Sequence, residues 1–210
     1  MKKLVILTAA ALAAAVATAV DYGAPEPCRD GGRPLAGDGS VWLLWDNGTP
    51  NNINVTLPGW VGYEFDVSTL ENYNYVRKFR MYMRAWPNSR WDGGRIGIYS
   101  FSGGLPGALL WGPKFVMPTQ EGWNNFRVDY FLGSRTKFLA CWDQLYNYPD
   151  CDTLCFDTGP SRRGKWIYSG GLWGPYIGVN ANLMLRVQVD DEHNPGVAPA
   201  SVGRVKALFR

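Results

Sequence analysis

From Val61 to Val67 the chain alternates strictly, with Val61, Tyr63, Phe65 and Val67 apolar or aromatic and Gly62, Glu64 and Asp66 small or charged between them. Successive side chains of a strand point to opposite faces, so the pattern predicts a strand with one buried and one wetted side. Tyr75 to Trp86 is the longest such run: Phe79, Met81, Met83 and Ala85 share one face, and Lys78, Arg80, Tyr82, Arg84 and Trp86 share the other. That second face reads as a solvated sheet surface on which long charged stems cross aromatic rings, with a basic aromatic ligand platform as the alternative. The stretch from Asp92 to Met117 predicts a central hairpin, in which Arg95 to Phe101 suits a pleated surface and Ala108 to Trp111 resumes an extended apolar run. The intervening Gly103-Gly104-Leu105-Pro106-Gly107 predicts the turn, because glycine costs about 1 kcal/mol and proline about 3 kcal/mol inside a helix.

The remaining strands fit around this hairpin. Val41 to Trp45 is the first, followed by a turn-forming loop at Asp46 to Asn52 whose Asn47-Gly48 suits positive φ. Trp123 to Phe131 and Thr136 to Asp143 alternate again; in the first, Phe126, Val128 and Tyr130 oppose Asn125, Arg127 and Asp129. Trp166 to Tyr168 and Tyr176 to Val179 predict short strands on either side of Ser169 to Pro175, and Leu183, Leu185, Val187 and Val189 close the sheet. About ten short antiparallel strands separated by turn signals predict an all-β sandwich or jelly roll over residues 41–192.

The ends of the chain have a different composition. Met1-Lys2-Lys3, the alanine-rich apolar run from Leu4 to Val16 and Ala17-Thr18-Ala19 predict a signal peptide over residues 1–19, cleaved after Ala19. Residues 20–40 read as an irregular, proline- and glycine-punctuated lead-in, residues 193–201 as a small-residue linker and residues 202–210 as a basic and apolar tail. Removing Lys2 and Lys3 leaves 19 basic against 18 acidic residues, so bulk charge gives no reason to expect nucleic-acid binding. No further apolar run predicts a transmembrane segment in the mature chain. Export to the cell surface, the medium or the periplasm permits disulfides among Cys28, Cys141, Cys151 and Cys155. Three pairings are open; the preferred one closes the 141–155 region on itself and uses Cys28 to pin the lead-in. A zinc site is the weaker reading, since no CxxC pair occurs and His193 is the sole histidine.

Catalytic chemistry finds little support. His193 lies beside the linker, and no pair of glutamates shares a strand as glycoside hydrolysis would want. The chain therefore reads as non-catalytic. A binding site is easier to assemble between residues 142 and 176, where Trp142, Tyr146, Tyr148, Trp166, Trp173 and Tyr176 accompany Asp143 and Gln144. Flat rings stack on sugars while carboxylates and amides bind hydroxyls; core filling is the competing use of the same rings. No cofactor is expected beyond a structural calcium, for which Asp150 with Asp152 and Asp190 with Asp191 offer hard oxygen ligands without a complete spacing.

Trp45-Asp46-Asn47-Gly48, Ile98-Tyr99 with Gly103-Gly104-Leu105-Pro106-Gly107 and Leu110-Trp111, Tyr168-Ser169-Gly170-Gly171-Leu172-Trp173, and Asn182-Leu183-Met184-Leu185-Arg186 together resemble the β-sandwich, jelly-roll-like modules of secreted bacterial surface proteins. The terminal Gly203 to Arg210 is similar to short C-terminal tails of exported bacterial proteins. These are strand and turn signatures, so the resemblance implies a fold and a compartment rather than a reaction. The expectation is a secreted or cell-surface module binding a glycan or surface polymer; the alternative is an envelope or polymer assembly protein that associates with copies of itself or attaches through its tail.

Overall fold

A computed structural model describes residues 40–191 except 56–57, 71–72, 86–90, 147–150 and 162–163, and omits the side chains of 52–54. The signal peptide, the lead-in up to residue 39 with Cys28, the linker with His193, the tail, Trp86, Tyr148 and Asp150 lie outside the described residues. Among the described residues there are twelve strands and no helix. In chain order these are β1 (Val41–Leu43), β2 (Pro50–Asn54), β3 (Gly59–Asp66), β4 (Tyr75–Ala85), β5 (Gly94–Ser102), β6 (Leu105–Val116), β7 (Gly122–Phe131), β8 (Lys137–Gln144), β9 (Asp152–Asp157), β10 (Lys165–Ser169), β11 (Leu172–Pro175) and β12 (Leu185–Asp190).

They form two antiparallel sheets, an all-β sandwich. Sheet I runs β1-β12-β4-β9-β2, with β7 also on β4, and sheet II runs β11-β10-β3-β8-β5-β6. The alternation read from the sequence decides which side chains fill the space between them. Val61, Tyr63 and Phe65 of β3, Phe138, Ala140 and Trp142 of β8, and Ile96 and Ile98 of β5 point inward from sheet II. Phe79, Met81 and Met83 of β4, Leu154 and Phe156 of β9, and Val187 and Val189 of β12 meet them from sheet I. Fully burying side chains of this size contributes roughly 1.5–3 kcal/mol each, which fixes the register, because a one-residue slip would turn every one of them to water. Trp142 is accommodated because position 94 is glycine: a Cβ there would lie 2.3 Å from its indole.

Several boundaries differ from the sequence expectation. The central turn is confined to Gly103 and Gly104, both at positive φ, and Leu105 to Gly107 already belong to the returning strand. Gly170 and Gly171 make the same kind of tight turn between β10 and β11, so Leu172 to Pro175 is the strand and Tyr176 to Val179 is a loop. Positive φ at both turn residues matches the right-handed twist of the flanking strands. Strand β2 begins inside the loop expected at Asp46 to Asn52, and β9 lies where the alternation predicts no strand; β9 is covered on both faces, so its polar residues do not mark a solvated side.

The predicted disulfide closure of the 141–155 region does not form. Cys141 and Cys155 are buried free thiols, and Cys151 is buried. Ala140 and Trp142 point into the core from sheet II, so Cys141 between them points out of it; Leu154 and Phe156 do the same for Cys155 in sheet I. The two sulfurs are thus on the far sides of sheets that pack about 10 Å apart, beyond the reach of a bridge.

Candidate functional site: an aromatic face outside the core

The polar half of each alternating strand faces away from the core, yet on sheet II that outer face is not polar. Trp60, Phe101, Leu139 and Cys141 form a second buried cluster there, flanked by the half-buried Tyr99, Trp166 and Trp173. Trp166, Gly62, Cys141 and Gly97 lie in one row across β10, β3, β8 and β5. The two glycines hollow this row. A Cβ on Gly97 would come within 3.2 Å of the Trp60 ring, and one on Gly62 within 2.7 Å of the Cys141 sulfur. Their absence lets the Trp60 ring approach the β5 backbone closely.

The rings touch in sequence: Trp60 meets Tyr99 at 5.4 Å between centroids, Tyr99 meets Trp173 at 5.0 Å, Trp173 meets Tyr168 at 5.3 Å, and Phe101 meets Trp166 at 5.5 Å. Tyr99 is on β5 and Trp173 on β11, four steps apart in the sheet order. Flat strands spaced at ~4.8 Å would hold them roughly 19 Å apart. Sheet II therefore curls, and the β10–β11 hairpin folds back over its own outer face. Only Lys165 to Ile167 of that hairpin pair with β3, so its tip is held by ring contacts, with Tyr168 and Leu172 exposed.

A charged rim borders the rings. Arg95 donates from Nε to Asp143 Oδ2 at 2.8 Å, and its guanidinium lies 5.8 Å from the Trp60 ring centroid. Burial, with Cys141, Asp143 and Tyr168 nearby, pushes the Tyr99 phenol up to about 12, so it remains a neutral hydrogen-bonding group across the ordinary pH range. Glu64 is raised by burial against the opposing pull of Lys137, which lies 3.7 Å from it and 3.3 Å from Asp66. The Cys141 thiol is pushed well above its usual value by burial, then by Asp143, and is not a nucleophile here.

The residues expected between 142 and 176 therefore separate. Trp166, Trp173 and Asp143 belong to this face, whereas Trp142 is fully buried between the sheets and fills the core. Gln144 is buried and donates to the Tyr146 carbonyl at 3.2 Å, bracing a turn that leaves the Tyr146 ring exposed. Tyr176 packs toward the core side, its ring 5.8 Å from Phe156. Beneath it Lys165 donates to the carbonyls of Val179 and Ala181, and Asp157 accepts from the backbone N–H of both Asn47 and Asn182. Tyr63 completes this buried network by donating to Asn182 at 2.9 Å, which ties the loop after β11 to the core. Trp60, Tyr99, Phe101 and Tyr168 were not expected at the site. Their signal is the alternation itself, since Trp60 precedes inward Val61, and Tyr99 follows inward Ile98.

The acidic residues considered for calcium are engaged separately. Asp152 accepts from the backbone N–H of Asp92 at 3.0 Å and of Gly93 at 2.6 Å, and burial outweighs those bonds to raise its pKa. Asp190 is paired with Arg77, and Asp191 is half-buried beyond the end of β12. Among the described residues no three His, Cys, Asp or Glu side chains gather as a metal site. No helix among the described residues is long and apolar enough to cross a membrane. Comparison with protein-family models, curated proteins and solved structures found no match to this chain.

Proposed function

We propose that the chain is an exported, non-catalytic binding module of the jelly-roll kind that holds a glycan or surface polymer on the outer face of sheet II. The observation that carries this reading is the ring cluster of Trp60, Tyr99, Trp166, Tyr168 and Trp173 built on the side of the sheet that core packing does not require. Indole and phenol faces provide flat apolar area for the C–H faces of sugars, and Arg95, Asp143 and the Tyr99 hydroxyl provide polar contacts at its edge. Export rests on the amino-terminal pattern, and absence of catalysis on the thin inventory of acid–base pairs.

Retention of the purified mature chain on a panel of neutral polysaccharides tests the reading. Trp173→Ala and Tyr168→Ala are each expected to weaken retention about tenfold, as loss of a central aromatic anchor does, while leaving the melting transition cooperative. Absence of retention by the folded protein on every member of the panel would sink it.

One observation favours assembly as the second reading. Leu105, Leu109 and Phe115 are exposed along β6, the free edge of sheet II, with Met117 just beyond. Self-association by light scattering that is abolished by Leu105→Lys with Phe115→Lys, together with no sugar retention, would favour that reading.

A further inference from the structure

The outer face of sheet I, on the opposite side of the sandwich, carries a second pattern. Four cations stand there as two directly opposed pairs, Arg186 against Arg80 between β12 and β4, and Lys78 against Arg127 between β4 and β7. Like charges placed opposite one another across a sheet repel, and such a pair persists when something else compensates it. One member of each pair has its own carboxylate: Arg186 donates to both oxygens of Asp46, with Nη2 at 2.6 Å from Oδ1, and Arg127 pairs with Asp129. Arg80 and Lys78 have no ion pair or hydrogen bond among the described residues.

Arg80 is nonetheless held in place. Its guanidinium lies 5.9 Å from the Trp42 ring centroid and 5.3 Å from that of Trp123, and its Nε is buried without an acceptor. Trp123 also carries Arg186 at 4.1 Å and meets Tyr82 edge-on at 5.5 Å, so the ring against which Arg80 rests is itself fixed. Stacking orients a planar guanidinium while leaving its outer N–H groups for an oxyanion. Lys78 is exposed, two residues along the same face and so ~7 Å away. Two amides flank the cations in the same rows: Asn125 opposite Arg80 is exposed, and Gln188 opposite Lys78 has a buried Oε1 with no donor.

We infer that this face binds an anionic polysaccharide, with Arg80 and Lys78 taking successive carboxylate or sulfate groups and Asn125 and Gln188 the neighbouring hydroxyls. Charge complementarity selects the occupant: the two uncompensated cations want anions, and the adjoining Trp42 and Trp123 rings, the exposed Asn125 amide and the unpartnered Gln188 Oε1, whose Nε2 is held by Ser40 at 2.8 Å, suit a sugar better than a bare ion. The inference does not depend on the aromatic face of sheet II, which would take neutral sugars with little dependence on salt.

The full mature chain is titrated with polygalacturonate and with dextran sulfate, using uncharged dextran and polyglutamate as controls. Binding to at least one of the two charged polysaccharides is expected, falling steeply between low and high salt, with Lys78→Gln and Arg80→Gln each weakening it about tenfold and Arg80→Lys less. Lys78→Gln alters an exposed side chain and keeps the test valid should Arg80→Gln unfold. Retention on polygalacturonate alone assigns carboxylate, and on dextran sulfate alone assigns sulfate. No binding to either, binding unchanged in folded Lys78→Gln, or equal binding to polyglutamate would overturn the inference. Trp173→Ala should leave this binding unchanged, so the two faces fail or succeed separately.

Discussion

Two tryptophans that the sequence assigns to one binding segment have opposite uses. Trp142 lies between the sheets against Gly94, and Trp173 lies on the outer face against Tyr99 and Tyr168. Trp142→Ala should therefore cost roughly 3–5 kcal/mol through the cavity it leaves, whereas Trp173→Ala should cost far less in a denaturant titration. Composition could not separate them, because a ring announces apolar area without saying which side of its strand is covered. Lys165 supports a second expectation. Burial lowers its pKa to about 8 from 10.5, partly offset by the attraction of Asp157. Between those values the unfolded chain binds the proton that the folded chain has released, so this lysine makes stability rise as pH increases from about 8. The buried thiols act in the other direction. Cys155 is raised to about 12 from 9.0, and Cys141 is raised as well, so the unfolded chain ionises first and stability falls above pH 9.0. Thermal scans should show a maximum near pH 9, and Lys165→Met should remove the rising limb while leaving the falling one.

At the level of strands, the alternating runs of β3, β4, β7 and β8 were legible because each has one continuous buried face. β9 was not, since its asparagine-rich partner β2 and its own aspartates at positions 152 and 157 look solvated while serving as buried backbone braces. The aromatic face was half legible: alternation divides Trp60 from Val61, but which strand ends up across from Trp60 depends on a sheet order that no local pattern states. Strand β6 is a long free edge, which invites pairing with other chains. Prolines at 106 and 113 each remove a backbone donor from it, and three register shifts interrupt its pairing with β5. These features oppose strand addition, so Pro106→Thr should increase concentration-dependent association in sedimentation velocity without lowering the melting temperature by more than a few degrees.

For the molecule as a whole, the sandwich holds together without covalent help among the described residues. The Cys141 and Cys155 thiols are enclosed, so they should resist a thiol reagent until denaturant is added, and a reductant should leave the labelling of these two unchanged. Curling of sheet II has an effect on time as well as on shape. On the proposed function, a ligand that enters between Tyr99 and Trp173 parts a ring contact that contributes about 0.5–1.5 kcal/mol. Capture by this surface should then be slow for its affinity and follow the opening of the hairpin tip rather than diffusion. Stopped-flow traces that level off with increasing ligand would carry that signature, and shortening the tip side chain would quicken arrival even as it hastens departure.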